Sequence, residues 1–450
     1  MTQQSVPEEV QAVAESTVRP FFRRVLPVLV VMFVIAFIDR SNLGFARESL
    51  NINVGISDAA FALGAGLFFL GYAVFEIPSN IILHKVGARV WMCRIMVTWG
   101  LVTFLTMFVN SEATFYLARI MLGVAEAGFF PGAILYLTYW VPAKHASRAR
   151  GILYLGVPLA NIINGPISGG LVELDGTWGL HAHQWLFMTL GALTTILGFF
   201  VLKLLPNRPD EVDWLTAEQK SALARVLAAE DASKGSAARA GALKVLADPR
   251  VWYLALVFFT VQAAVYGLTF FLPTQVAALV GGQVGFVVGV VTSIPWIAAL
   301  IGVLYFSRLA DRTGRHRLIA SLLLLGSGLG IGISGAVGSP IVGLLALCLA
   351  AMGFIAVQPV FWALPTTYLG GFAAASGIGL INSLGNLGGF VAPNLRTAVV
   401  GATGSEMLGL IALAAVPVIG SALIALTAFA KGKQGAEQSL EQTVAVEKSS

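Results

Sequence analysis

Residues 115–140 read FYLARIMLGVAEAGFFPGAILYLTYW and are apolar enough to lie in lipid. As one continuous helix at ~1.5 Å per residue they would extend about 39 Å, which crosses a bilayer with some tilt. Arg119 and Glu126 interrupt the apolar run, and the seven residues between them turn a helix through roughly 700°, so both side chains should point the same way. Ionisable groups at this depth usually mark an ion or substrate path. The alternative is an ion pair that only holds helices together.

The whole chain shares this apolar character. Of its 450 residues, 57% are hydrophobic and only 11% are charged, more apolar surface than a soluble domain can bury. We therefore expect an all-α polytopic membrane protein with the lipid bilayer as its surroundings. Its basic residues fall mainly between apolar segments, so they do not indicate a nucleic-acid partner. The sequence gives no reason to expect a cofactor or a metal site.

Twelve apolar segments are long enough to be membrane helices, at about 20 residues each. Their predicted cores are 25–42, 58–82, 90–109, 113–140, 149–171, 184–204, 251–279, 284–306, 317–337, 341–366, 372–398 and 406–429. The polar stretch between the sixth and seventh predicts this division: N-terminal segment 1–24, six-helix bundle 25–205, linker 206–249, six-helix bundle 250–430 and tail 431–450.

The distribution of lysine and arginine predicts the orientation of these segments. Arg40 and Arg119 lie inside spans, and Arg47 and Arg396 lie on the side of loops 1–2 and 11–12. The other basic residues lie in or beside the N-terminus, the even-to-odd loops, the linker and the tail. Because basic loops stay on the cytoplasmic side, both termini and the linker are predicted to be cytoplasmic.

The two halves are weakly related in sequence. HKVGAR, starting at position 84, aligns with DRTGRH, starting at position 311, and Pro166 aligns with Pro393 at the same offset of 227 residues. A repeat of this kind is typical of duplicated transporters, in which the halves enclose a central cavity with the binding site near the bilayer midplane. We expect two pseudo-symmetric bundles around such a cavity.

The segment SRLADRTGRHR, residues 307–317, resembles the loop motif of the major facilitator superfamily. The resemblance implies that Asp311 caps a helix end and pairs with arginines, and that Arg312, Gly314 and Arg315 belong to the same gating element. The first copy departs from the motif, because His84 stands in place of the acid.

Within the superfamily, the chain resembles the anion:cation symporter family over most of 20–430, closest to its tartrate, phthalate and sugar-acid permeases. The matching segments include FIDRSNL in span one, FFLGYAVFEIPSNIILHKVGAR in spans two to three, RIMLGVAEAGFFPGAILYLTYWVP in span four, GPISGGL in span five, and FWALPTTYLGG with GIGLINSLGNLGGFVAPN in spans ten and eleven. The resemblance implies import of a small organic anion together with protons.

Four charged residues of the N-terminal half are the core of the predicted site. By resemblance, Asp39 and Glu126 are the protonatable acids, while Arg40 and Arg119 contact substrate or regulate those acids. Burial favours the neutral form of a carboxyl group and a nearby guanidinium favours the charged form. An anion that binds the arginines would therefore promote protonation of the acids. We favour Arg40 as the carboxylate clamp, since its planar fork binds carboxylates bidentately, and Arg119 as the partner that tunes Glu126.

Several polar and aromatic residues complete the predicted site. The candidate substrate contacts are Tyr72, Asn161, Gln358, Trp362, Asn382 and Asn386, and Glu76 is a candidate gate residue. Tyr72 and Asn386 match family binding positions. Asn382 and Asn386 are four residues apart on one helix face, so hydrogen bonding between helices is an alternative role for them.

These features favour a monomeric, proton-coupled symporter in the inner (plasma) membrane. The alternatives are an organic-anion exchanger or efflux carrier on the same fold, and a membrane-embedded enzyme or sensor. An enzyme is disfavoured because the chain shows neither a nucleophile paired with a base nor a metal motif. Tartrate-like diacids, sugar acids and aromatic acids remain equally open as substrates.

Overall fold

The computed structural model describes residues 7–234, 247–368 and 371–426, and these residues form helices and connecting turns without a β-strand. Eleven helices are long and apolar enough to cross a membrane, and two shorter ones in tandem form one further span. In chain order the twelve spans are Leu26–Val54; Asp58–Val86; Ala88–Leu105; Glu112–Glu126 with Phe129–Thr138; Ala143–Tyr154 with Gly156–Val172; Ala182–Leu204; Pro249–Thr269 with Leu272–Val280; Phe286–Thr313; His316–Ala336; Pro340–Tyr368; Gly371–Asn386 with Gly388–Thr403; and Glu406–Leu426. This agrees with the predicted all-α fold.

The fourth span is broken where the sequence predicted one continuous helix. Its first helix ends at Glu126, and Gly128 adopts a left-handed conformation with φ +84° before the second helix begins at Phe129. Pro131 then lies in the first turn of that second helix, where a missing backbone N–H costs no hydrogen bond. The prediction of one continuous helix was therefore wrong, and Glu126 is the last residue of the first of two helices.

The N-terminal and linker helices pack together beside the N-terminal half. Ala14 of helix Glu8–Ser16 is buried with Ala222 and Val226 of linker helix Ala217–Lys234. Glu15 binds Lys144, at the start of the fifth span, with an Nζ–Oε1 distance of 2.7 Å. The described part of the linker is thus attached to the N-terminal half.

The two halves approach each other closely along the fifth and eighth spans. A Cβ atom added to Gly165 would lie 2.2 Å from the carbonyl oxygen of Gly289, and one added to Gly289 would lie 2.1 Å from the carbonyl oxygen of Gly165. Only glycine allows backbones to approach this closely. Gly165 and Gly289 therefore serve helix packing between the halves.

The halves also touch at the end of the molecule opposite the linker. Arg47 of the first span donates to Asp58 at 2.7 Å and to Thr274 of the other half at 3.3 Å. The guanidinium groups of Arg47 and Arg396 lie 5.0 and 4.0 Å from the ring centroid of Phe271. These contacts join the two halves at this end of the molecule.

Candidate substrate and proton site

A cavity between the two halves is lined by rings, amides and one cation. Its space, including the part open to solvent, is about 680 Å³. The polar residues of its wall are Arg40, Tyr72, Tyr154, Gln262, Tyr266, Gln358, Asn382 and Asn386, and its phenylalanines are Phe33, Phe37, Phe68, Phe69, Phe129, Phe130 and Phe258. Among the described lining residues, Arg40 alone carries a charge.

The Arg40 guanidinium connects both halves of the protein. Its Nη2 donates to the Glu126 carboxylate, and its Nη1 donates to the Tyr266 hydroxyl of the seventh span at 3.1 Å. Its Cζ also lies 5.3 Å from the ring centroid of Phe68 and 5.4 Å from that of Tyr72. Aromatic faces stabilise a cation that has lost much of its water, so the cation is retained within an apolar wall.

Glu126 lies at the end of its helix and is fully buried. Its Oε1 accepts the bond from Arg40, while its Oε2 has no hydrogen-bond partner. A carboxylate is disfavoured beside the negative end of a helix dipole, and a buried acceptor without a donor is costly.

Asp39 and Arg119 lie behind the cavity wall. Asp39 Oδ1 accepts a bond from Thr103 Oγ1 at 2.9 Å, and its buried Oδ2 has no partner. Arg119 Cζ lies 5.2 Å from the centroid of Phe68, the ring that Arg40 also contacts, and its Nε and Nη2 have no hydrogen-bond partner. The four charged residues therefore form one buried cluster, in which only Arg40 reaches the cavity.

Four of the six predicted substrate contacts line the cavity: Tyr72, Gln358, Asn382 and Asn386. The other two are outside its described wall. Asn161 is buried and donates to the Val157 carbonyl of its own helix at 2.9 Å. Trp362 packs behind the wall residue Phe258, with ring centroids 4.8 Å apart.

The two predicted gate elements differ in their surroundings. Glu76 is buried and accepts a bond from Ser383 of the other half at 3.3 Å, a suitable position for a contact that breaks when the halves separate. Asp311 is mostly exposed, and its described partner is His316 at 3.3 Å. Asp311 lies in the last turn of a helix that Gly314 ends with φ +66°. Among the described residues no arginine pairs with it in this structure, and its gating role stays a prediction.

The same loop motif contains the remaining predicted gate residues. Arg312 and Arg315 are exposed beside Gly314. Their gating role stays a prediction.

Sequence reasoning missed Gln262 and Tyr266 of the seventh span. Gln262 Nε2 donates to Asn386 Oδ1 at 2.8 Å, and Tyr266 binds Arg40. The two residues are four apart in an apolar helix, so they share one face. Polar residues in this pattern normally point toward the bundle interior, and this is the signal that could have found them.

Twelve spans in two halves around a central polar cavity define a multi-pass membrane transporter. The chain belongs to the Major Facilitator Superfamily, whose model matches residues 29–393.

Relatives support this assignment over nearly the whole chain. The chain is 44% identical to the inner membrane transport protein RhmT of Escherichia coli (strain K12), over 92% of this chain and 95% of that protein. It is 41% identical to a putative tartrate transporter of Agrobacterium vitis, over 90% and 92%, and 40% identical to a quinolone resistance transporter of Acinetobacter baumannii, over 96% and 99%.

A solved structure shares the fold. It is a bacterial homolog of the human lysosomal transporter Spinster in an inward-facing, unoccupied conformation. The TM-score is 0.69 at 17% identity, and the match covers 93% of this chain and 97% of that one.

Proposed function

We propose that this protein is a proton-coupled symporter that imports a small organic anion by alternating access. It acts as a monomer in the inner membrane, with both termini in the cytoplasm, and catalyses no chemical conversion. Its substrate is a tartrate-like dicarboxylate, a sugar acid or an aromatic acid. The single observation that carries the proposal is that Arg40, the one charged residue of the described cavity wall, is bonded to the buried acid Glu126.

The anionic character of the substrate follows from the cavity wall. Arg40 provides a planar fork for a carboxylate, and Tyr72, Gln358, Asn382 and Asn386 provide neutral groups for further oxygens. A cationic substrate would be repelled by the Arg40 guanidinium, and the described wall exposes no carboxylate that could bind it. The name of one relative, a putative tartrate transporter, supports an acid-handling carrier.

Coupling to protons follows from competition for Arg40. When a substrate carboxylate binds the guanidinium, Glu126 loses part of the positive field that keeps it ionised, and its unpartnered oxygen can accept a proton. Asp39 is the second candidate proton site, because its Oδ2 is equally buried and unpartnered. By linkage, protonation must strengthen anion binding to the same extent.

The energetics favour this coupling for an importer. An inside-negative potential opposes entry of each negative charge by ~2.3 kcal/mol per 100 mV. One co-transported proton per substrate charge removes this opposition, and a proton gradient then drives accumulation. Two buried acids provide for up to two protons. The Glu76–Ser383 contact is the proposed gate on the route between the halves.

An exchanger or efflux carrier is the second candidate, because one relative is named for quinolone resistance. Such a carrier would use the same cavity with the opposite net direction, or would require substrate on both sides. Import and exchange differ in whether empty vesicles accumulate substrate.

Uptake by reconstituted vesicles tests the proposal. Purified protein in liposomes would be offered radiolabelled tartrate, galactonate and phthalate, with the interior alkaline and with the gradient collapsed, against protein-free liposomes. We expect at least one acid to accumulate only with the gradient. Uptake unaffected by collapsing the gradient would reject proton coupling, and uptake that requires preloaded acid would favour the exchanger.

A further inference from the structure

Tyr266 forms a direct hydrogen bond between the C-terminal half and the cation of the proposed site. Its hydroxyl accepts from Arg40 Nη1 at 3.1 Å. Its ring is held by Phe69 of the N-terminal half, with centroids 4.5 Å apart, and by Phe270 of its own span, with centroids 6.0 Å apart. Tyr266 and its hydroxyl are therefore buried in a defined position at the interface of the halves.

Both terminal nitrogens of Arg40 donate a hydrogen bond in the structure. Nη2 binds Glu126, Nη1 binds Tyr266, and Nε is buried without a partner. A carboxylate binds a guanidinium best through two parallel N–H donors. Since Nε is buried, an incoming carboxylate must approach the two terminal nitrogens, and one N–H of Nη1 already donates to the tyrosine hydroxyl.

We propose that the Tyr266 hydroxyl is a placeholder for the substrate carboxylate. It accepts from Arg40 Nη1 until the acid binds and then gives way, which breaks a bond between the first and seventh spans. This inference rests on the proposed function, in which Arg40 receives the acid. It assigns Tyr266 a positioning role: the residue sets acid affinity through Arg40 and ties binding to release of one half from the other.

Removal of the hydroxyl separates this role from direct substrate binding. In Tyr266→Phe the ring and its packing remain, while Arg40 Nη1 loses its resident acceptor. A competitor that no longer has to be displaced gives tighter binding, whereas loss of a direct substrate contact gives weaker binding. The two roles thus predict opposite changes in the affinity of Tyr266→Phe for the acid.

The first measurement is a thermal-shift titration of purified protein with tartrate, galactonate and phthalate. Tyr305→Phe is the matched control, since Tyr305 is 60% exposed on the eighth span. We expect Tyr266→Phe to lower the Kd of the acid that stabilises wild type about tenfold, as expected for one hydrogen bond to a charged group, and the control to leave it unchanged. An unchanged or higher Kd would overturn the placeholder role.

The second measurement needs no substrate. Spin labels on cysteines introduced at Asn53 and Gln283, exposed on different halves at the end opposite the linker, would report the distance between the halves after replacement of Cys93 and Cys348. Substrate-free Tyr266→Phe should shift the distribution toward longer distances. An unchanged distribution would overturn the release step. If no acid stabilises wild type, the proposed function fails for these acids. The distance measurement still tests whether the contact between Tyr266 and Arg40 holds the two halves together.

Discussion

Replacement of Glu126 by glutamine separates anion binding from proton coupling. The side chains have nearly the same size, and the amide oxygen of Glu126→Gln can still accept the bond from Arg40 Nη2 that the carboxylate accepts in the structure. What disappears is the charge and the unpartnered oxygen that can take a proton. The substitution should therefore leave a folded carrier that binds the acid but no longer couples it to a proton through this site.

The size of the effect follows from two free energies. In Glu126→Gln the bond from Arg40 still has one charged group but is no longer an ion pair. Bonds to charged groups are worth about 1.5–3 kcal/mol, and losing the second charge moves this one toward the lower end, so Arg40 is held roughly 1–1.5 kcal/mol less tightly. Acid binding in Glu126→Gln should thus be retained or up to about tenfold tighter. Loss of proton coupling affects accumulation more than this change affects binding. Each co-transported proton supplies about a tenfold inside-to-outside concentration ratio of the acid per pH unit.

The assay compares accumulation with exchange in the same vesicles, using the acid that wild type accumulates. With a gradient of one pH unit and no membrane potential, wild type should reach an inside-to-outside ratio of about ten for a monoanion carried with one proton. Glu126→Gln should stay near one while still exchanging labelled for unlabelled acid. Glu48→Gln, exposed on the first span, is the control and should behave as wild type. Gradient-driven accumulation by Glu126→Gln would refute the reasoning.

Three further substitutions test other parts of the account. Gly165→Ala places a Cβ 2.2 Å from a facing carbonyl oxygen and should slow uptake about tenfold or more by overpacking. Gly151→Ala, whose added Cβ has nothing within 4 Å, is the control and should not slow uptake. Equal uptake rates for the two variants would contradict the role of Gly165 in close helix contact. Asp39→Asn can keep the Thr103 bond but removes a proton site, so gradient-driven accumulation should fall more than exchange; an equal loss of both would indicate a structural role. Arg47→Ala removes contacts that join the halves at the end opposite the linker. It should speed maleimide labelling of a cysteine placed in the cavity when the reagent is added from that end. An unchanged labelling rate would count against a closed gate at that end.

The sequence was sufficient for the helical spans because hydropathy and length determine which segments can lie in lipid. It also placed Arg40 and Glu126 in one cluster, since charges in a membrane avoid lipid and find one another. Arg40 was favoured as the substrate contact for its planar fork, but helix geometry alone could not decide which of Asp39 and Arg40 faces the cavity. Adjacent residues project about 100° apart, and the rotation of the helix is set by packing, here by the bond from Thr103 to Asp39.

Two other features depended on tertiary structure. The break in the fourth span rests on Gly128, whose added Cβ would lie 2.3 Å from Ser79 Oγ of the second span, a contact that no local pattern reveals. Tyr266 reads as one more aromatic residue in an apolar helix until the halves are placed together. Its contact with Arg40 joins residues 226 positions apart.

The most direct test of proton coupling is to follow protons and acid together in wild-type vesicles. Lightly buffered liposomes with the membrane potential clamped and no initial pH gradient would receive an acid that wild type transports, with external pH and internal acid recorded at once. Entry of the acid should make the external medium more alkaline, with at least one proton taken up per acid molecule, and Glu126→Gln should abolish the pH change. Entry of the acid at the wild-type rate without alkalinisation would contradict the proposed symport.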